Sequence, residues 1–186
     1  LNYAPRRVIK VLKPVRVANA GSWAEFVPAD TRQYDIEIDF DCEAVGRQRM
    51  VVDMTADVFT SEIAAARTFG FMKDVERLWA AGYALGSSLD NSVVICDDNE
   101  IINPEGLRFE DEFVRHKLLD AVGDLSLAGH PIVGLYRSYR GGHKLNAAAL
   151  AELLSDTSNY ELVVETDQLA VTNPAQRVTF VSLPNA

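Results

Sequence analysis

Three histidines stand in the 186 residues, and two of them have neighbours at spacings that chemistry can use. In RHKLLDAVGD, residues 115–124, His116 and Asp120 are four apart, which puts them one helical turn apart on the same face. Asp124 lies a further turn along. At about 100° per residue the three fall within an arc of about 80°. Phe109, Phe113 and Leu127 share that stripe, while Val114, Leu118, Val122 and Leu125 cover the opposite side. Ionisable groups flanked in this way are costly to bury without partners. A divalent metal removes the cost by taking neutral imidazole nitrogen and carboxylate oxygen. An H-x3-D helical pair suits zinc, whose catalytic sites use three protein ligands and leave one position for water. The same spacing also makes an ordinary surface ion pair, and periodicity alone leaves both readings open.

Other groups fit the same chemistry. Gly141-Gly142-His143 puts an imidazole in a loop whose glycines allow a substrate to come close. Arg67-Thr68-Phe69-Gly70-Phe71 sets a hydroxyl between bulky groups at a junction of elements. Lys117 and Arg140 would bring positive charge near the candidate residues. Each also has a plain alternative: a helix-entry His, a buried cap, two solvated cations. His130, before Pro131, has no such company and reads as structural. Asp97-Asp98 reads as a strand end. Glu110-Asp111-Glu112 reads as a solvated helix start, where carboxylates suit the helix dipole.

The elements that must position these residues follow from the apolar pattern. Residues 6–17, RRVIKVLKPVRV, alternate as a strand with Pro14 marking an edge or bulge. Strands are expected at 22–28, 33–41 and 49–54, and YDIEIDF has a strict period of two, one face to a core and one to water. The N-terminal third thus reads as an antiparallel meander. A short helical segment at 58–66, a helix ending near Gly82 and the buried strand SVVIC at 92–96 suggest a β-α-β insertion over about 71–96. The longest helix is expected over about 108–128, a strand at 131–139, a helix near 145–155, and closing strands at 160–165 and 176–182. Strands first, then helices mixed with strands, imply an α+β fold, a sheet layered with helices, rather than a doubly wound parallel sheet.

Composition narrows the classes. With 48% hydrophobic and 24% charged residues the chain has the balance of a globular domain, and 186 residues suffice for one. Lys and Arg total 18 against 27 Asp and Glu, a net charge of −9, which repels phosphate backbones and argues against nucleic acid. Two cysteines, Cys42 and Cys96, make neither a disulfide framework nor a cysteine zinc site and fit reduced thiols in the cytoplasm. No apolar stretch approaches the roughly 18–20 residues of a transmembrane segment. Leu1 in place of Met suggests a fragment or a processed product.

Four segments taken together are not generic: ARTFGFMKDVERL (66–78), GLRFEDEFVRHKLLDAVGDL (106–125), GHPIVG (129–134) and GGHKLN (141–146). In order and spacing they resemble the UDP-3-O-acyl-N-acetylglucosamine deacetylase family, zinc hydrolases of lipid A biosynthesis, from near residue 7 to past residue 165. The resemblance implies two domains of similar α+β architecture with the active site between them, this chain matching only the second. It implies a β-α-β insert shaping an acyl tunnel, with acylated UDP-N-acetylglucosamine as the substrate. By this resemblance His116 and Asp120 are zinc ligands, and His143 is the general acid for the leaving amine. Asp124 would orient or tune His143, and Thr68 would help hold the developing oxyanion. Lys117, Arg140 and Phe69 would face the UDP-sugar, and Phe71, Val75, Ala84, Leu89 and Val94 would line the tunnel.

The departures limit what is implied. The family's third zinc ligand, a His, and its general base, a Glu, belong to the first domain, and residues 1–66 contain no histidine. Ser87 and Gly141 stand where the family often has Gly and Ser. The chain alone is therefore expected to hydrolyse substrate poorly and to hold zinc weakly. Two other expectations compete: a non-catalytic module that binds acylated UDP-sugar or a partner protein, and a domain kept for its fold.

Overall fold

The computed structural model describes residues 5–83, 86–165 and 178–182. The chain opens with β1 (Arg7–Val11) and β2 (Val15–Asn19), so the expected first strand is two strands broken at Lys13-Pro14. Proline has no N–H for a ladder, and the chain turns there. Then come β3 (Ser22–Val27), β4 (Arg32–Asp39) and β5 (Arg47–Asp53). These strands do not form a meander. They are two antiparallel hairpins, β2–β3 and β4–β5, and β8 (Ile132–Tyr139) lies between them, antiparallel to β3 and parallel to β4. β8 also runs parallel to β1 at Ile9 and Lys10, and β9 (Tyr160–Val164) closes on β1. β10 (Val178–Ser182) pairs with β5. Local alternation identifies such strands, but a central strand arriving about a hundred residues later is invisible to it.

Gly134 is what allows β8 to serve both halves of the sheet. Its φ is 153°, and a Cβ there would stand 2.7 Å from Val11 Cγ2. Only glycine permits that close approach where β8 passes from β1 to its other neighbours.

The period-two run in β4 behaves as expected. Ile36 and Ile38 are buried beneath the helices, each contributing about 1.5–3 kcal/mol by leaving water. The opposite face carries charge in pairs: Asp35 accepts from Arg49 Nε at 2.7 Å and Arg137 Nε at 3.3 Å, and Glu25 takes Arg137 Nη1 at 3.1 Å.

After the short helix α1 (Ala56–Val58), capped by the Thr55 hydroxyl, the chain continues through a π-helical turn, Phe59–Ile63. The insertion follows: β6 (Thr68–Phe71), α2 (Met72–Ala80) and β7 (Ser92–Ile95), with β6 parallel to β7. It forms its own small sheet, a β-α-β unit whose first strand starts at Thr68, ahead of the expected residue 71. α3 (Glu112–Leu125) and α4 (His143–Ser155) pack together and lie on the main sheet, α3 over β4 and β5, α4 over β2 and β3. Phe113, Leu118 and Leu125 of α3 and Ala149 and Leu153 of α4 join Phe26, Ile38 and Met50 in one core. The fold is α+β.

α3 is shorter than expected at both ends. After Leu125 a tight 3-10 turn, Ser126–Ala128, ends at Gly129 in the left-handed region, and Leu127 projects into solvent at 78% exposure instead of extending the stripe. Nor is the helix start solvated. Glu112 is completely buried, while Asp111, instead of capping, spends an oxygen on Arg115 at i+4. Cys42 and Cys96 are free thiols.

Candidate functional site

The site is built around α3, the loop after β8 and the start of β6. His116 and Asp120 project from consecutive turns of α3 with His116 Nε2 at 3.3 Å from Asp120 Oδ1. The other ring nitrogen, Nδ1, lies 3.3 Å from the carbonyl oxygen of Ala66. A carbonyl only accepts, so this contact calls for the proton on Nδ1 and leaves a lone pair on Nε2. That lone pair faces a carboxylate oxygen, an arrangement that asks for a cation between the two. Burial holds the His116 pKa below its ordinary value, with the Asp120 charge opposing, so the imidazole is neutral at neutral pH and available as a ligand.

Zinc–ligand bonds of about 2.0–2.1 Å in a tetrahedron put neighbouring ligand atoms roughly 3.3 Å apart, which is the separation of this pair. The donor set therefore fits zinc, but it is partial. Among the described residues no group of three His, Cys, Asp or Glu side chains comes together to hold a metal.

Lys117 lies on the same helix face and donates to Asp120 Oδ2 at 2.8 Å, so the two carboxylate oxygens are divided between His116 and an ammonium. Phe69 stands behind them. Its ring meets Phe113 at 4.9 Å, Phe40 at 5.5 Å and the His116 imidazole at 6.3 Å, and the Lys117 ammonium lies 5.8 Å from its centroid. Thr68 is exposed at the start of β6, two residues from the carbonyl that holds His116.

The second cluster lies where the last turn of α3 meets the first turn of α4. His143 Nδ1 is 2.9 Å from Asp124 Oδ2 and 3.1 Å from Oδ1, and the imidazole is otherwise open, with 69% of its side chain exposed. Gly142, the N-cap of α4, has an extended backbone. Gly141 abuts Ser138, whose Oγ would lie 3.0 Å from a Cβ at that position. A small recess between the two clusters is lined by Lys117, Asp120, Gly141, Gly142 and Asn146. Arg140 precedes it with φ at 51°, exposed, its N–H on the Glu37 carbonyl at 2.9 Å.

The insertion supplies a separate cavity of about 290 Å³ lined by Met72, Leu89, Val94 and Ile102 together with Ser87, Ser88 and Ser92. Leu89 and Val94 thus line an apolar space. Phe71 packs against the core, with the Lys73 ammonium 5.9 Å from its ring. Ala84 and the side chain of Val75 lie outside the described residues.

One cluster escaped the sequence reading. Glu112 accepts from Arg67 Nε at 2.9 Å, Arg67 Nη2 at 3.1 Å, the Arg67 N–H at 2.9 Å and the Arg108 N–H at 2.7 Å. Arg67 also donates to the Gly106 carbonyl at 2.7 Å and pairs with Glu105. Burial alone would raise the Glu112 pKa, but the Arg67 guanidinium and the two backbone N–H groups outweigh it and hold the carboxyl below its usual range. Because Arg67 sits between Ala66 and Thr68, this buried pair fixes the segment leading into β6, whose Ala66 carbonyl contacts the His116 imidazole. The only sequence signal was an arginine next to the Thr-Phe-Gly-Phe run.

The family model described as UDP-3-O-acyl N-acetylglycosamine deacetylase matches residues 2–155. Curated relatives from Brucella ovis, Brucella canis and Brucella melitensis, each named UDP-3-O-acyl-N-acetylglucosamine deacetylase, are 59% identical over 160 residues. The match covers 86% of this chain and 56% of each relative. The chain thus spans little more than half the length of the relatives it matches, and it belongs to the UDP-3-O-acyl N-acetylglycosamine deacetylase family.

Proposed function

We propose that this chain is the second domain of a cytoplasmic zinc amidohydrolase that removes the N-acetyl group of UDP-3-O-acyl-N-acetylglucosamine and releases acetate, a step of lipid A biosynthesis. The observation that carries the proposal is the His116 Nε2 lone pair set 3.3 Å from Asp120 Oδ1. His116 and Asp120 would hold the metal. The third ligand, a His, and the general base, a Glu, come from the part of the family's length that this sequence does not span. The chemistry that zinc supplies when bound is polarisation of the acetamide carbonyl and acidification of a water.

The chain's own groups do the rest. Asp124 holds His143 by Nδ1, so Nε2 is the atom that delivers a proton to the departing amine nitrogen. Thr68, at the edge of the site, offers its hydroxyl to the oxygen on which charge develops. Lys117 fixes Asp120 Oδ2 and leaves Oδ1 for the metal. The Lys117 and Arg140 cations face the diphosphate and Phe69 the sugar, and the cavity lined by Leu89 and Val94 receives the acyl chain. No described helix is long and apolar enough to cross a membrane.

The test is acetate release from UDP-3-O-acyl-N-acetylglucosamine by the full-length protein, before and after chelation. Zinc-restored turnover is expected. Substrate binding without acetate release would instead favour the non-catalytic module.

A further inference from the structure

We infer that Asn146, itself oriented by Tyr136, is the residue that positions the Asp124–His143 pair for proton transfer. This rests on the reaction proposed above. The His143 imidazole is largely exposed, and its contact with the Asp124 carboxylate is what restrains it. A carboxylate turns easily about its own bond, so the restraint is only as firm as whatever holds Asp124. Asp124 Oδ2 accepts from Asn146 Nδ2 at 2.8 Å. Asn146 is 3% exposed, and its Oδ1 accepts from the Tyr136 hydroxyl at 2.6 Å. Tyr136 is 2% exposed.

The donors follow from chemistry without reference to hydrogen positions. An ionised carboxylate only accepts, so the amide must turn its NH2 toward Asp124 and its oxygen toward Tyr136, and the phenol must then donate. Burial first, and the Asp124 charge second, raise the Tyr136 pKa and keep that hydroxyl protonated. The chain runs from the middle of the sheet (Tyr136 in β8) through α4 (Asn146) to α3 (Asp124) and back to the first residue of α4 (His143). It transfers the rigidity of the core to an exposed ring, and proton transfer needs that ring in one pose.

The experiment is a double-mutant cycle in the full-length enzyme. Asn146→Ala is expected to lower kcat about 10- to 100-fold, the size usual for a group that orients a site residue, with KM and zinc content unchanged. In an Asp124→Ala background the same substitution should have no further effect on kcat. Tyr136→Phe, which keeps the ring, should lower kcat in the same direction and serves where Asn146→Ala does not fold. An Asn146→Ala enzyme within twofold of wild type, or an equal loss in both backgrounds, would overturn the inference. If the wild-type enzyme releases no acetate, the proposed reaction fails instead. The positioning claim is then read from the ¹⁵N shifts of the His143 ring, which should move in Asn146→Ala and Tyr136→Phe. Unchanged shifts would refute it.

Discussion

Replacing Glu112 with Ala should be among the most damaging single changes in the chain, although an acidic residue at a helix start usually tolerates substitution. Glu112 and the Arg67 side chain are 0% and 1% exposed, and the carboxylate accepts four bonds, three from Arg67 and one from the Arg108 N–H. Truncation leaves a guanidinium and two backbone N–H groups in the interior. Removing one partner of a buried ion pair costs roughly 3–5 kcal/mol. The surviving contacts of Arg67 with Glu105 and the Gly106 carbonyl point to the lower end, about 3 kcal/mol. For a domain of this size that is a fall in Tm of roughly 6–12 °C. Glu112→Gln keeps the shape but loses the charge and should fall between the two. The folded carboxyl titrates below its ordinary 4.5, so its stabilisation is complete above that value and drains away as pH falls through the lowered one. The gap between wild type and Glu112→Gln should therefore narrow in acid. Urea unfolding of the 186-residue chain, followed by circular dichroism from pH 7 to pH 3, measures all of this. A cost below about 1 kcal/mol at pH 7, against the 3 expected, would refute the reasoning.

Three further outcomes follow from the site. In the full-length enzyme His143→Ala should keep zinc and slow turnover about 10²- to 10⁴-fold, the usual contribution of a general acid; metal analysis beside steady-state kinetics checks both halves. Leu89→Trp should fill the apolar cavity and shift preference toward shorter acyl chains, seen by comparing kcat/KM across acyl lengths; an unchanged order would remove that cavity from the substrate path. If the site is divided as proposed, with two ligands here and the third ligand and the general base elsewhere, the 186-residue chain by itself should bind zinc weakly and release little acetate; robust zinc-dependent turnover would contradict that division.

Much of the site was legible because its logic is local. His116, Asp120 and Asp124 declare one helix face by spacing alone, and the β-α-β insertion shows as a change of period within thirty residues. The sheet was less legible. β8 enters between two hairpins formed a hundred residues earlier, and each hairpin looks the same in sequence whether or not a strand separates them. Glu112 misled for a related reason. Its partner is 45 positions upstream, and an acidic run at a helix start has a sufficient explanation in the helix dipole. Leu127 misled because the pattern continued past the point where the backbone tightened into the 3-10 turn. Asn146 lay in a quoted motif, but an asparagine between Leu and Ala says nothing of the tyrosine beneath it.

The central claim is that His116 and Asp120 hold a metal, and zinc content tests it most directly. Purified full-length protein should carry one zinc per chain, and His116→Ala should lose it while remaining folded by circular dichroism. Full retention of zinc by a folded His116→Ala protein would contradict the account.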